Sequence, residues 1–118
     1  MFRDVGTIDD ESCREFQHSI ELVGRKWSAA ILLALARGAQ RFGEVHHAVD
    51  GISNRLLAVR LKELQTQNLV ERTVIPTTPV EIRNALTESG RELLVGLMPL
   101  IHWQQRWRVN PRRQVDQS

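Results

Sequence analysis

The chain has 118 residues, 42% of them hydrophobic, which is enough apolar material for one domain with one core. Its formal net charge is only +2, and its single cysteine, Cys13, excludes an intramolecular disulfide and a four-cysteine zinc site. The longest apolar stretches, residues 29–36 and 93–101, are too short to span a membrane. The acidic N-terminus lacks the apolar run of a secretion signal, so a cytoplasmic location is expected.

Residues 1–11 read as a flexible arm. Ser12-Cys13-Arg14-Glu15 has the Ser-x-x-Glu form of a capping box, predicting a helix that carries Phe16, Ile20, Leu22 and Val23 and ends at Gly24. A second helix over about 27–37 is apolar nearly all round, as a buried core helix would be, with Gly38 as its C-terminal cap. Gln40-Arg41-Phe42 is a brief extended link, and residues 43–49 form a short third helix that ends at Asp50-Gly51.

Ser53 is a good N-cap for a fourth helix running to about residue 67, where Asn68 takes the left-handed position that ends it. Leu57, Leu61 and Leu64 form one apolar stripe along it. At about 100° per residue the opposite face carries Arg55, Ala58, Val59 and Lys62, two cations beside two small or apolar groups, with no acid. Such a face suits a major groove, because the cations meet phosphate or guanine edges and the small groups let the backbone approach. The preceding helix and the turn Asp50-Gly51-Ile52 give helix–turn–helix spacing.

Residues 70–75 and, more weakly, 80–86 are β-prone and flank Pro76-Thr77-Thr78-Pro79, which predicts a hairpin. Thr87 caps a last helix bearing Leu93, Leu94, Leu97, Leu100, Ile101, Trp103 and Trp107, in which Pro99 is expected to kink the helix without ending it. Residues 110–118 read as a disordered basic tail. The order α-α-β-α-α-β-β-α is mainly helical with a small β-hairpin, and it describes a winged helix–turn–helix over residues 12–109.

Charge is unevenly placed. Residues 1–24 hold Asp4, Asp9, Asp10, Glu11, Glu15 and Glu21 against Arg3 and Arg14, whereas the tail region adds Arg106, Arg108, Arg112 and Arg113. Basic clustering in a nearly neutral chain points to a polyanion contact on one surface, set against the plainer reading of a solvated surface.

The ordered motifs Cys13, Leu22-Val23-Gly24-Arg25-Lys26-Trp27-Ser28, Arg41-Phe42-Gly43-Glu44-Val45, Gly51-Ile52-Ser53-Asn54-Arg55-Leu56-Leu57, Arg60-Leu61-Lys62-Glu63-Leu64 and Leu86-Thr87-Glu88-Ser89-Gly90 resemble those of the HxlR-type regulators. These are a branch of the MarR-like winged-helix transcription factors. The resemblance spans roughly residues 13–107. It implies a homodimeric regulator that binds double-stranded DNA and pairs through its first and last helices, with an N-terminal cysteine that in many members senses oxidants or electrophiles. Cys13 stands at that place. The chain departs from the family pattern where a proline usually follows the cysteine (here Arg14) and where the last wing strand usually carries Glu-Tyr (here Arg83-Asn84). The wing tip has no arginine or lysine for minor-groove reading.

The expected DNA-facing set is therefore Ser53, Asn54, Arg55, Ala58, Val59 and Lys62, with Arg55 favoured for a guanine because its fork fits two acceptors. Arg60 lies to one side, where it reaches a phosphate or pairs with an acid. Arg41 and Arg72 are phosphate clamps or structural ion pairs, and Arg83 joins them on the wing. Thr77 and Thr78 donate to phosphates or belong to a solvated turn. The expected dimer interface is Phe16, Ile20, Leu97, Leu100, Trp103 and Trp107, since so small a monomer cannot cover both terminal helices.

With Ser12 as N-cap, Cys13 would be the first helical residue. There the helix end and Arg14 favour the thiolate, while Asp9, Asp10, Glu11 and Glu15 oppose it. Two readings stand: a thiol that reacts with a small oxidant or electrophile, or a structural residue. His18, His46, His47 and His102 are not spaced as metal ligands, and no cofactor is implied. The rival functions are a winged-helix protein-interaction module without DNA binding, which the basic face of the fourth helix opposes, and a small Cys13 enzyme, for which no base, phosphate loop or oxyanion motif is placed.

Overall fold

A computed structural model describes residues 8–107. Five helices and one hairpin follow in order: α1 (Asp10–Gly24), α2 (Ser28–Ala36), α3 (Phe42–Ala48), α4 (Asn54–Thr66), β1 (Val70–Ile75), β2 (Glu81–Leu86) and α5 (Glu88–Trp107). The strands pair antiparallel, from Val70 opposite Leu86 to Ile75 opposite Glu81. The fold is mainly α with a small hairpin, as expected for a winged helix–turn–helix. The tail over residues 110–118 lies outside the described residues, as does the arm before Ile8.

Local chemistry sets most boundaries. Ser53 Oγ accepts from Leu56 N–H at 3.1 Å and starts α4. Thr87 Oγ1 accepts from Gly90 N–H at 3.0 Å and starts α5. At the end of α2, Ala39 N–H donates to Ala34 O and Gly38 N–H to Leu35 O, both at 3.1 Å, with Gly38 at φ 109°. The end of α4 repeats this pattern: Leu69 N–H donates to Leu64 O and Asn68 N–H to Gln65 O, both at 2.9 Å, with Asn68 at φ 60°. Both are the paired bonds by which a left-handed residue closes a helix. Pro99 lies inside α5, which continues past it to Trp107.

Three features differ from expectation. Asp9, not Ser12, caps α1, because its Oδ1 accepts from Ser12 N–H at 2.7 Å. The helix gains a turn, and Asp10 and Glu11, assigned above to the arm, sit in it where the positive helix end favours acids. The extended link at Gln40–Phe42 keeps only one backbone bond to the wing, from Asn84 N–H to Gln40 O at 2.7 Å. Phe42 enters α3 because Glu44 Oε1 accepts from the N–H groups of Gln40 (3.1 Å) and Arg41 (2.9 Å) and opens the helix one residue early. Finally, α2 is buried on one side only. Ile31, Leu32, Ala34 and Leu35 face the core, whereas Ala29, Ala30, Leu33 and Ala36 are exposed. Its neighbours α1, α3, α4, α5 and β2 cover just that inner side.

The core joins these α2 residues to Val45, Val49 and Ile52 of the helix–turn–helix, Leu57, Leu61 and Leu64 of α4, and Leu69, Val70 and Leu86 at the wing base. Gly90 explains the glycine of the Leu-Thr-x-x-Gly motif. A Cβ there would run into the carbonyl of Leu69, far inside any real carbon–oxygen contact. Only glycine lets α5 begin so close to the end of α4.

Candidate nucleic-acid interface

Helix α4 turns Leu57, Leu61 and Leu64 into the core, which leaves Asn54, Arg55, Ala58, Val59 and Lys62 exposed on its outer side. Val59 is 43% exposed. Among the described residues, Arg55 and Lys62 enter no ion pair, nor does Arg72 on the exposed face of β1. The structure thus brings together the whole α4 set named from sequence. Ser53 is exposed as well, with its hydroxyl oxygen capping Leu56 N–H. The turn before it needs Gly51, at φ 90°, and a Cβ at that position would press on the Trp27 ring at 3.3 Å.

Arg60 is not part of that face. Its side chain is 17% exposed and turns inward. Nε donates to Lys26 O at 3.1 Å, and Nη1 pairs with Glu63 Oε2 at 3.2 Å. Of its two readings, pairing with an acid is the one observed. Glu63 also takes Arg25 at 3.0 Å. The Gly-x-Lys-Trp motif thereby has a mechanical role: Arg25 and Lys26 are tied to α4. Trp27 is held at φ 81°, the left-handed conformation costly for a bulky residue, where it caps α2. Lys26 Nζ lies 5.1 Å from the Trp27 ring centre.

The wing edge is likewise internally paired. Arg41 Nε and Nη2 both hold Glu81 Oε1. Arg83 Nε donates to the same oxygen at 3.2 Å, and its Nη2 to Glu81 Oε2 at 3.4 Å. The guanidinium of Arg83 first, and that of Arg41 second, hold the Glu81 carboxyl below the usual carboxylate range. Glu44 is lowered as well, by the backbone N–H groups of Arg41 and then Gln40. Arg41 and Arg83 are thus in structural ion pairs. At the tip, the Thr77 hydroxyl donates to Pro79 O at 2.8 Å. Its one proton is already used, so the expected donation from Thr77 to phosphate is not available in this geometry. Thr78 is exposed.

Sequence reading missed Glu63, Glu81 and Asn84. Asn84, on the last wing strand where the resemblance sets a tyrosine, is 3% exposed. Its Nδ2 donates to Gln40 O at 3.2 Å beside the backbone bond to the same oxygen, so it staples the wing to the segment before α3. A polar residue where the pattern has a large ring was the available signal.

Cys13 is exposed, one turn inside α1, with its N–H donating to Asp9 O at 3.0 Å. It is not the first helical residue, because Asp9 moved the helix start. Phe16 and Ile20 follow it at i+3 and i+7 on the same face, and α1 has no buried residue. On α5, Leu100, Trp103 and Trp107 are exposed and Leu97 is half-buried. No described helix is long and apolar enough to cross a membrane.

The family model for the HxlR-like helix-turn-helix matches residues 22–111, most of the chain and the whole of the α2–α5 arrangement just described. The chain belongs to the HxlR-like helix-turn-helix family. It is 38% identical over 97 residues to the HTH-type transcriptional regulator YvaP of Bacillus subtilis, across 82% of this chain and 90% of that one. It is also similar to the transcriptional regulator YodB of B. subtilis, whose reduced form superposes with a TM-score of 0.70 at 33% identity, covering 84% of this chain and 93% of that one. YodB structures also exist in diamide-treated and quinone-bound forms. The redox regulator HypR in its reduced form matches with a TM-score of 0.74 at 26% identity, over 80% of this chain and 94% of that one. As an HxlR-like protein, the chain carries its helix–turn–helix in α3 and α4.

Proposed function

We propose that this HxlR-like protein is a homodimeric transcriptional regulator that reads DNA sequence with the outer face of α4 and responds to thiol-reactive compounds through Cys13. The observation that carries the DNA reading is that face itself. Asn54, Arg55, Ala58, Val59 and Lys62 are all exposed, two are cations outside any described ion pair, and none is an acid. A protein-interaction module would not need so basic a face.

In the major groove the planar fork of Arg55 fits the O6 and N7 acceptors of a guanine. Ala58 and Val59 let the helix approach and contact a thymine methyl, and Lys62 neutralises a phosphate. Homodimerisation is supported by α1, which has no fully buried residue and leaves Phe16 and Ile20 exposed, and by Leu100, Trp103 and Trp107, which present apolar surface to solvent. Two recognition helices about 34 Å apart would read an inverted repeat on one face of the duplex. The thiol reading is supported by the exposure of Cys13 on the Phe16–Ile20 face and by YodB, solved with diamide and quinone.

The test is selection of a bound sequence from a random duplex pool, followed by mobility shifts with wild type and Arg55→Ala. The expected result is an inverted repeat, and a variant that loses preference at one base pair per half-site at a cost of about 1–3 kcal/mol. Failure to enrich any sequence overturns the reading.

A further inference from the structure

Six cations lie on the elements that the DNA-binding reading assigns to the interface: Arg41, Arg55, Arg60, Lys62, Arg72 and Arg83. Three of them are held by acids: Arg60 by Glu63, and Arg41 and Arg83 by Glu81. The Glu81 cluster differs from an incidental surface pair. One carboxylate engages two guanidiniums from separate elements, Arg83 through two hydrogen bonds and Arg41 through one from Nε, with Nη2 of Arg41 also in ion-pair contact. Glu81 is 19% exposed, while Arg41 and Arg83 are 60% and 44% exposed, so the acid sits beneath two outward-lying cations. Glu44, at the start of α3, is the second acid close to both. Two cations against two acids leave this edge with no net charge. The edge also spans the entry to α3 and the tip end of the wing, places from which a docked winged helix meets the DNA backbone.

We infer that Glu81 is an affinity-setting counter-charge, which occupies Arg41 and Arg83 so that the wing edge adds no net charge to DNA binding. The inference rests on the DNA-binding reading above. Phosphate contacts raise affinity for every sequence alike and carry no base information. By engaging the two guanidiniums in the protein, Glu81 keeps general affinity low and leaves binding to rest on α4. The unpaired cations are then Arg55, Lys62 and Arg72. With Arg55 on a base edge, Lys62 and Arg72 make about four phosphate contacts per dimer, and log affinity should fall with log salt with a slope of about 4, against about 9 if Arg41, Arg60 and Arg83 met phosphate as well.

The experiment measures dissociation constants across a salt series for the full chain on two duplexes, one selected by the wild type and one of mixed sequence. For wild type a slope of about 4 is expected. Glu81→Gln keeps the shape of the side chain and removes its charge. It should steepen the slope by about 2–4 and raise affinity for both duplexes by about three- to tenfold at low salt. Arg41→Ala, which leaves the fold's acid paired with Arg83, should leave the slope unchanged and does not depend on the behaviour of the Gln variant. An unmoved slope in Glu81→Gln overturns the inference, as does a fall of about 2 in Arg41→Ala. Weaker binding of Glu81→Gln to both duplexes also overturns it, because Glu81 would then orient the arginines onto phosphate. A wild type that binds neither duplex overturns the DNA-binding reading itself, whereas a wild type that binds with unchanged slopes in Glu81→Gln overturns only the role of Glu81.

Discussion

Arg60 reaches from the middle of α4 to the carbonyl oxygen of Lys26, 3.1 Å away, and so fixes the left-handed turn from which α2 begins. The same guanidinium pairs with Glu63, which also holds Arg25. One half-buried side chain therefore ties α4 to the chain reversal between α1 and α2.

Arg60→Ala should destabilise the protein by about 1.5–3 kcal/mol, the range for a hydrogen bond to a charged group. The loss would appear as a lower denaturant midpoint. Below that midpoint, the salt slope of DNA binding should match wild type, since the side chain does not reach solvent as a free cation. A flatter slope with unchanged stability would return Arg60 to the phosphate-contacting set.

Gly90→Ala places a methyl group on the Leu69 carbonyl. The obstacle is backbone at the junction of α4, wing and α5, so it cannot rotate away. A loss of about 3 kcal/mol is expected, at the upper end of the range for overpacking. Gly96→Ala, in the same helix with open space around it, serves as the control and should be neutral or slightly stabilising. Equal melting of the two variants would contradict the close approach.

Trp103 is 50% exposed in the protomer, so it is not a core residue. Trp103→Asp should leave the protomer folded by circular dichroism and produce monomers in sedimentation. Affinity for an inverted repeat should then fall on the order of 10²-fold, because the second half-site is no longer tethered. A variant that stays dimeric would move the interface elsewhere.

Diamide oxidises two thiols to a disulfide and takes up their two hydrogens. With a single cysteine per chain, the bond must join two subunits or one subunit and a small thiol. Treatment should change operator affinity in wild type and leave Cys13→Ser, which keeps basal binding, unaffected. Equal behaviour of the two proteins would make Cys13 structural.

The elements were legible where the signal is local. Ser53, Thr87, Gly38 and Asn68 act within a few residues of themselves, and each sits where its own chemistry places it. Ser12 failed because two cap signals overlapped: Asp9-x-x-Ser12 lies just upstream of Ser12-x-x-Glu15, and the earlier cap adds a turn of helix with well-placed acids. The α4 face was legible from its period. What held Arg41, Arg60 and Arg83 was not. Arg41 and Glu81 are forty residues apart, and they meet only once the wing has its register. A count of cations along the chain has no access to such pairings.

The end of α4 and the start of α5 share more than proximity. Thr87 Oγ1 donates to Asn68 O at 2.7 Å, and Thr87 N–H donates to Leu69 O at 3.1 Å. The cap of one helix is bonded to the closing turn of the other, and the whole hairpin leaves and returns through that joint. Torque applied to α5 thus passes straight into α4 and bypasses the wing. A rotation of a few degrees where the last helix meets its surroundings would swing the outer face of α4 sideways, in the manner of a crank turned from its shaft.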